Sequence, residues 1–472
     1  KNTDWDADWL SATTIGDGVW YSEVFIPWSV APMKAQSGPN RKVKLGFYRM
    51  MAGYSRVFAT IQGSPYQNIY LSAFNDFTFT NYQSSKIDYF PYLTLNEDRL
   101  ESELDNKVGA EIFWKIDSSR QLNAAFNPDF GQVESDDVVV NFSASETFYS
   151  DKRPFFSENH NLFNVQGSRF FYVINTRRIG ASPDYNCSED FPLQQELCAD
   201  SQKGANDIDA AFRYTQQGEN FDVGFLGAFE ANEKFSKGKD FYAVRLRTKK
   251  DNLTVGYLGT YVNRPVINRT AKVNALDFEY RPSNIRRLSG TALASDVNGE
   301  KGYGFNLGYG YDPSKNRHNG VGVFYVDEDL DMKDMGYLWR NNLLMISGRA
   351  SIKQTDFSQD SIARARKYAI GYNLKSTSDF EKEPSGFYFL AENSFTNTSE
   401  IKAEVFYRTT GRDNLITRKS ALSPFINMPK GYGVELEYSG PSDDFLQYGF
   451  EVERSQGSRY SAALGWQTSY QG

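Results

Sequence analysis

No stretch of this 472-residue chain approaches the roughly 18 consecutive apolar residues that a membrane helix needs. Mean hydropathy is −0.57, so a helical membrane protein is excluded. Positive charge is also scarce. Lys and Arg number 52 against 59 Asp and Glu, a net charge of −7 with a pI near 5.3, and no basic footprint for nucleic acid is present. The two histidines, His160 and His318, give catalysis little to work with. No heptads, low-complexity tracts or solenoid periods appear.

What the chain has is alternation. Tyr303, Phe305, Leu307, Tyr309 and Tyr311 point one way along a strand, and Gly304, Asn306, Gly308, Gly310 and Asp312 point the other. Val434, Leu436 and Tyr438 alternate with Glu435, Glu437 and Ser439, and Ile208, Ala210, Phe212 and Tyr214 share one face opposite Arg213. A soluble β-sandwich alternates too. Here the runs reach the roughly 9–11 residues of a tilted membrane strand. The apolar set is rich in the 30 Tyr and 36 Phe, as interfacial girdles require. The expected fold is all-β: a transmembrane antiparallel β-barrel of roughly 16–18 or more strands.

Alternation also sorts the charges. Arg213, Arg245, Arg247, Lys402, Glu404, Glu435, Glu437, Glu451 and Glu453 fall on inward positions. A basic residue facing lipid at the midplane would cost about 2–4 kcal/mol, so these line a wet lumen or pair across it. Their mixed signs suggest a salt-bridged or plugged interior.

Residues 1–95 differ. The signature Asp17-Gly18-x-Trp20-x-x-Glu23-x-x-Ile26-Pro27 resembles the second half of a family 9 carbohydrate-binding-like domain, a β-sandwich. The resemblance makes Trp5, Trp9, Trp20 and Trp28 candidate sugar-stacking platforms, with sandwich core as the alternative. Residues 96–107 are charged and read as a linker, with the barrel over 108–472. Lys1 opens without a signal-peptide pattern, and Trp466 to Gly472 stop inside a strand-like run, so sequence is expected to be missing at both ends.

Asn127-Pro-Asp-Phe-Gly-Gln-Val-Glu134, Lys152-Arg-Pro-Phe-Phe-Ser-Glu158, Thr176-Arg-Arg-Ile-Gly180 and Asp334-Met-Gly-Tyr-Leu-Trp-Arg-Asn-Asn342 are collinear. Together they resemble an uncharacterised bacterial outer-membrane β-barrel family, designated only as a domain of unknown function (5916), that often carries the carbohydrate-binding-like domain. Asn159-His-Asn161 and the cysteine loop depart from that pattern. The resemblance implies a Gram-negative outer membrane and no agreed function; the expected partners are outer-membrane lipid, a polysaccharide and a protein in the lumen or periplasm, and no cofactor is expected.

Residues 127–163 are too polar and too interrupted by proline and glycine for a lipid-facing strand. They are expected to form an internal plug or constriction, with Asp129, Phe130, Glu134, Asp136, Asp137, Lys152, Arg153, Phe155 and Phe156 as anchors and gating charges; bracing of the wall is the alternative. Cys187 and Cys198 suit a loop disulfide, two free thiols being the other reading. His318 reads as a solvated loop residue. A Ser157–His160 or Glu158–His160 pair lacks a nucleophile elbow, so no catalytic residue is assigned. Asp327 to Asp334 lacks the glycine and terminal glutamate of an EF-hand and reads as a solvated acidic loop rather than a Ca²⁺ site; Glu23, Asp136 and Asp137 are structural or ion-binding. No metal site is expected. Function is expected to be transport of polar, saccharide-like cargo, or else a non-conducting scaffold; a membrane-embedded hydrolase is disfavoured.

Overall fold

The structure, a computed structural model, describes residues 9–28, 33–36, 38–51, 56–61, 74–82, 85–98, 103–129, 146–165, 170–187, 198, 205–233, 235–358, 360–417, 424–440, 446–455 and 459–468. Side chains of 50–51, 56–57, 96–98, 103–105, 416 and 446 onward lie outside that description.

Its centre is one antiparallel sheet of eighteen strands. We number them in chain order: β1 Lys86–Asp98, β2 Glu103–Lys115, β3 Arg120–Phe126, β4 Ile208–Gln217, β5 Phe221–Glu230, β6 Asp240–Lys250, β7 Leu253–Arg264, β8 Arg269–Ser283, β9 Arg286–Val297. The second half comprises β10 Glu300–Ser314, β11 Arg317–Val326, β12 Leu343–Gln354, β13 Ala363–Ser376, β14 Gly386–Phe395, β15 Glu400–Arg408, β16 Gly431–Ser439, β17 Leu446–Ser455 and β18 Arg459–Thr468. Each strand pairs with its neighbours in sequence, residue by residue, from β1 to β18. The order is that of a barrel whose seam lies between β18 and β1.

Alternation sets the two faces. On β10, Tyr303 is 55% exposed and Phe305 41%, while Gly302 and Gly304, which alternate with them, are buried. On β6, Phe241, Ala243 and Arg245 are buried and Val244 and Leu246 exposed. Ile208 breaks the expected set. The register of β4 on β5 shifts between Ile208 and Ala210, and a one-residue slip turns a side chain to the other face. Ile208 is therefore buried at 3% exposure while Ala210, Phe212 and Tyr214 face out.

The sheet starts earlier than its charges suggest. Residues 86–115, assigned from sequence to the sandwich end, the linker and the first barrel residues, form β1 and β2 in register from Lys86↔Lys115 to Asp98↔Glu103. Glu97, Asp98 and Glu103 belong to the paired ends of these two long strands.

The expected N-terminal sandwich is not what the described residues form. They make three two-stranded ladders, Leu10–Gly16 with Val19–Phe25, Asn40–Leu45 with Asn75–Thr80, and Tyr48–Met51 with Arg56–Ala59. Leu10, Ile15, Val24 and Phe25 are all exposed, so among the described residues no second sheet covers the first ladder.

The two ends of the large sheet differ. At one end lie short connections such as 116–119, 218–220, 251–252, 284–285 and 315–316. At the other lie the long ones: 127–207, 231–239, 327–342, 377–385 and 409–430. The N-terminal region meets the short-turn end. Met33 N donates to Ser118 O (2.8 Å) and Ala35 N to Gln217 O (2.8 Å), and Arg41 Nη2 donates to Ser118 Oγ (2.8 Å).

Candidate functional site

The long connection between β3 and β4 folds back against the inner face of the sheet, and most of the hydrophobic core lies between the two. Phe155, Phe156, Leu162, Phe163 and Phe171 pack with Ala211, Leu226, Ala243, Leu258 and Phe324 of the wall. Pro154 opens a single helical turn, Pro154–Ser157. Asn159 then takes φ +55°, the left-handed turn that asparagine tolerates, and a 3₁₀ turn follows at His160–Leu162.

Three sets of contacts hold this segment. At its foot, Glu158 Oε2 accepts from Gln121 Nε2 (2.7 Å) and Asn123 Nδ2 (3.2 Å) of β3. Asn159 Nδ2 donates to Gln121 Oε1 (2.7 Å). In the middle, Arg245, fully buried, donates to Leu162 O (3.1 Å) and Asn164 O (3.4 Å) and to both carboxylate oxygens of Asp277. Gly224 beside it leaves room for Phe163, whose ring would stand 2.9 Å from a Cβ there. At the top, Arg153 lies 4.3 Å from the Phe156 ring centroid. It pairs with Asp151 (2.6 Å) and donates to Ile179 O (2.9 Å) and Thr176 O (2.7 Å).

A second long connection, 327–342, closes over the same end. Phe171 and Tyr172 pair with Leu338 and Tyr337 in a short ladder, and Phe170 packs on Phe324 and Trp339 at 5.3 and 5.4 Å. The acidic run is not the solvated loop its composition suggests. Asp334 is 7% exposed and bound by Arg264 (2.8 Å) and Arg269 (2.7 Å), while Asp331 pairs with Arg269 (2.8 Å). Burial pushes the Asp334 carboxyl up, but the hydrogen bonds from Arg269 and Arg264 outweigh it and hold it below the usual carboxylate range. Among the described residues no cluster has the makings of a metal site.

The rest of the inner face is less filled. Side chains added at Gly308 or Gly310 would meet nothing closer than 4.0 Å, and Arg349 is exposed on that face. Farther round, Lys402 bridges Glu435 (2.6 Å) and Glu437 (3.2 Å). Registry places Glu404 and Glu453 on either side of Glu435, and Glu451 beside Glu437.

Of the residues singled out from sequence, Arg213, Arg245, Arg247 and Lys402 face inward. Arg247 pairs with Asp222 (2.6 Å). Phe155, Phe156 and Arg153 join the inner segment, Lys152 is half-buried beside them, and Asp129 accepts from Thr94 Oγ1 (2.8 Å). Phe130, Glu134, Asp136, Asp137 and Trp5 lie outside the described residues, as do the side chains of Glu451 and Glu453. Trp9 and Trp20 are exposed, with Arg49 5.3 Å over the Trp20 ring, and Trp28 packs edge-on against Phe79. Cys187 and Cys198 are disulfide-bonded, Cα atoms 5.7 Å apart, in the long-loop half. Ser157 Oγ reaches Pro154 O (3.4 Å) rather than His160. His318 lies in β11, not in a loop, with Nδ1 2.7 Å from Asp312 Oδ1. Sequence reading missed Asp222, Asp277 and the role of Glu158. Both aspartates are buried on the inward positions of β5 and β8, two strands to which the inward count was not extended.

A family model described as Domain of unknown function (DUF5916) matches residues 83–239 and 244–469. No curated protein matches. Among solved structures, the crystal structure of Acinetobacter baumannii OccAB4 aligns over 81% of this chain and 94% of its own, with 10% identity and a TM-score of 0.32.

Proposed function

We infer that this chain, which belongs to the DUF5916 family, is an integral outer-membrane β-barrel that passes polar cargo, with the segment of residues 146–165 as its internal gate. One observation carries the reading. Apolar side chains face out around the sheet, while inside a folded segment is held against the wall by side-chain contacts beside a polar, partly unfilled stretch of β10–β16. A sheet apolar on its outer face is at home in lipid, and irregular backbone at that depth is stable only inside protein or a wet cavity. Short turns belong to the periplasmic end of such barrels and long loops to the outside. The N-terminal region, docked through Met33 and Ala35 on Ser118 and Gln217, is then periplasmic. No catalytic role is assigned.

The test is single-channel conductance in a planar bilayer, for the full chain and for a deletion of residues 127–163. Current that is absent or small in the first and steady in the second supports a gated channel. Silence from both would replace it with a non-conducting scaffold, a reading favoured by the exposed apolar ladder Leu10–Phe25, and a co-purifying partner would then be sought.

A further inference from the structure

The foot of the inner segment rests on a patch of wall that fits it poorly. Lys115, Gln121 and Thr215 form one row of inward side chains across β2, β3 and β4, and Phe113, Asn123 and Arg213 form the next. Two cations thus stand at opposite corners of a grid about 10 Å wide, two strand spacings, with amide and hydroxyl groups between. Glu158 occupies it and pairs with both cations, but only at the long end of ion-pair distance. Lys115 Nζ stands 3.8 Å away and Arg213 Nη2 3.9 Å, while the amides take the short contacts. Arg213 is 3% exposed, its guanidinium 5.5 Å from the Phe155 ring centroid. Its Nη2 has no hydrogen-bond partner among the described residues, and neither has Asn159 Oδ1. A buried guanidinium N–H left unmatched costs free energy that a better acceptor would recover. The patch is not sealed: the side chains of Lys115 and Glu158 keep 24% and 27% of their exposure, and Lys115 ends β2 at the short-turn end.

We propose that this patch is a binding site for a small hydroxylated oxyanion, a carboxylate- or phosphate-bearing solute, and that Glu158 is a built-in competitor whose displacement frees the gate. The idea rests on the channel reading for its consequence and on the wall geometry for the site itself. A larger multi-oxygen anion meets Lys115 and Arg213 at shorter range and offers Gln121, Asn123 and Thr215 the hydroxyls that Glu158 lacks. Occupancy by the solute and docking of Glu158 exclude one another, so binding at the foot and release of the segment are coupled.

Titration calorimetry on the detergent-solubilised full chain tests the site without any current. The probes are glucuronate, inorganic phosphate and, as the neutral control, glucose. Glu158→Gln removes the competing charge and is expected to tighten glucuronate or phosphate binding by about tenfold or more, the factor that ~1.4 kcal/mol supplies. Arg213→Gln should abolish binding, and Lys115→Gln, at the more exposed corner, serves if the first variant does not fold. Preference for glucuronate over phosphate would mark a sugar-acid solute, and the reverse a phosphate. Equal affinity of wild type and Glu158→Gln, or binding of glucose as strong as that of the anions, overturns the site. Oxyanion binding in a protein that never conducts would sink the channel reading alone, and conduction without binding would sink this one alone.

Discussion

Arg245 and Asp277 are both fully buried on the inner wall, and the arginine also carries two carbonyls of the inner segment. Such a pair is expensive to break and cheap to replace whole. Removing one partner leaves the other charge buried and alone, at a cost of about 3–5 kcal/mol, whereas an apolar pair of similar volume is often neutral. Arg245→Met is therefore expected to lower the urea midpoint of the refolded barrel strongly, and Arg245→Met with Asp277→Leu to recover most of it. Conductance separates the two roles of the residue. Both variants leave Leu162 O and Asn164 O without their donor, so both should open more often than wild type. A double variant that is stable and as closed as wild type would show that Arg245 serves the wall only.

At the scale of the element, the inner segment stays in place because the wall makes room for it at chosen points. Gly224 on β5 is one, since a Cβ there would stand 2.9–3.2 Å from Phe163 and Leu162. Gly224→Val should push the segment off the wall while keeping the register of β5, whose backbone needs no positive φ at that position. Unplugged current with an unchanged far-ultraviolet spectrum is the expected outcome, and Gly308→Ala, which faces open space, is the matched control with no change. If both variants behave like wild type, Phe163 does not hold the gate. This pairing of glycine with ring was not legible in the sequence, because the partners lie sixty residues apart and share no period. The strands were legible, since period two is written into every pair of neighbours. The same local signal read 96–107 as a linker, whereas Asn96–Asp98 and Glu103–Lys107 pair within β1 and β2, and it missed the slip at Ile208, because a bulge is a property of two strands rather than one. Counting alone puts Arg213, Arg245 and Arg247 on one face of their strands, and Arg213 and Arg245 are buried. What each one touches depends on how the segment folds back, which counting along a strand does not reach.

The whole molecule is asymmetric along the axis of the sheet, and that asymmetry is what would make a gate directional. Short turns and the N-terminal ladders share one end; the disulfide loop and the 327–342 connection share the other. The foot of the inner segment, with Glu158 against Lys115, reaches toward the short-turn end, while its upper part is tied beneath the long loops through Arg153, Asp151 and the Phe171–Leu338 ladder. If short turns are periplasmic, the oxyanion patch opens to the periplasm and the lid of loops to the exterior. Single cysteines decide the orientation, because Cys187 and Cys198 are consumed in their own bond. Asp379→Cys lies on an exposed long loop and Asn284→Cys on an exposed short turn. A membrane-impermeant maleimide should label the first on intact cells and the second only after the outer membrane is permeabilised. The opposite pattern would put the ladders outside, and the patch at Glu158 would then face solutes arriving from the medium rather than those leaving the cell.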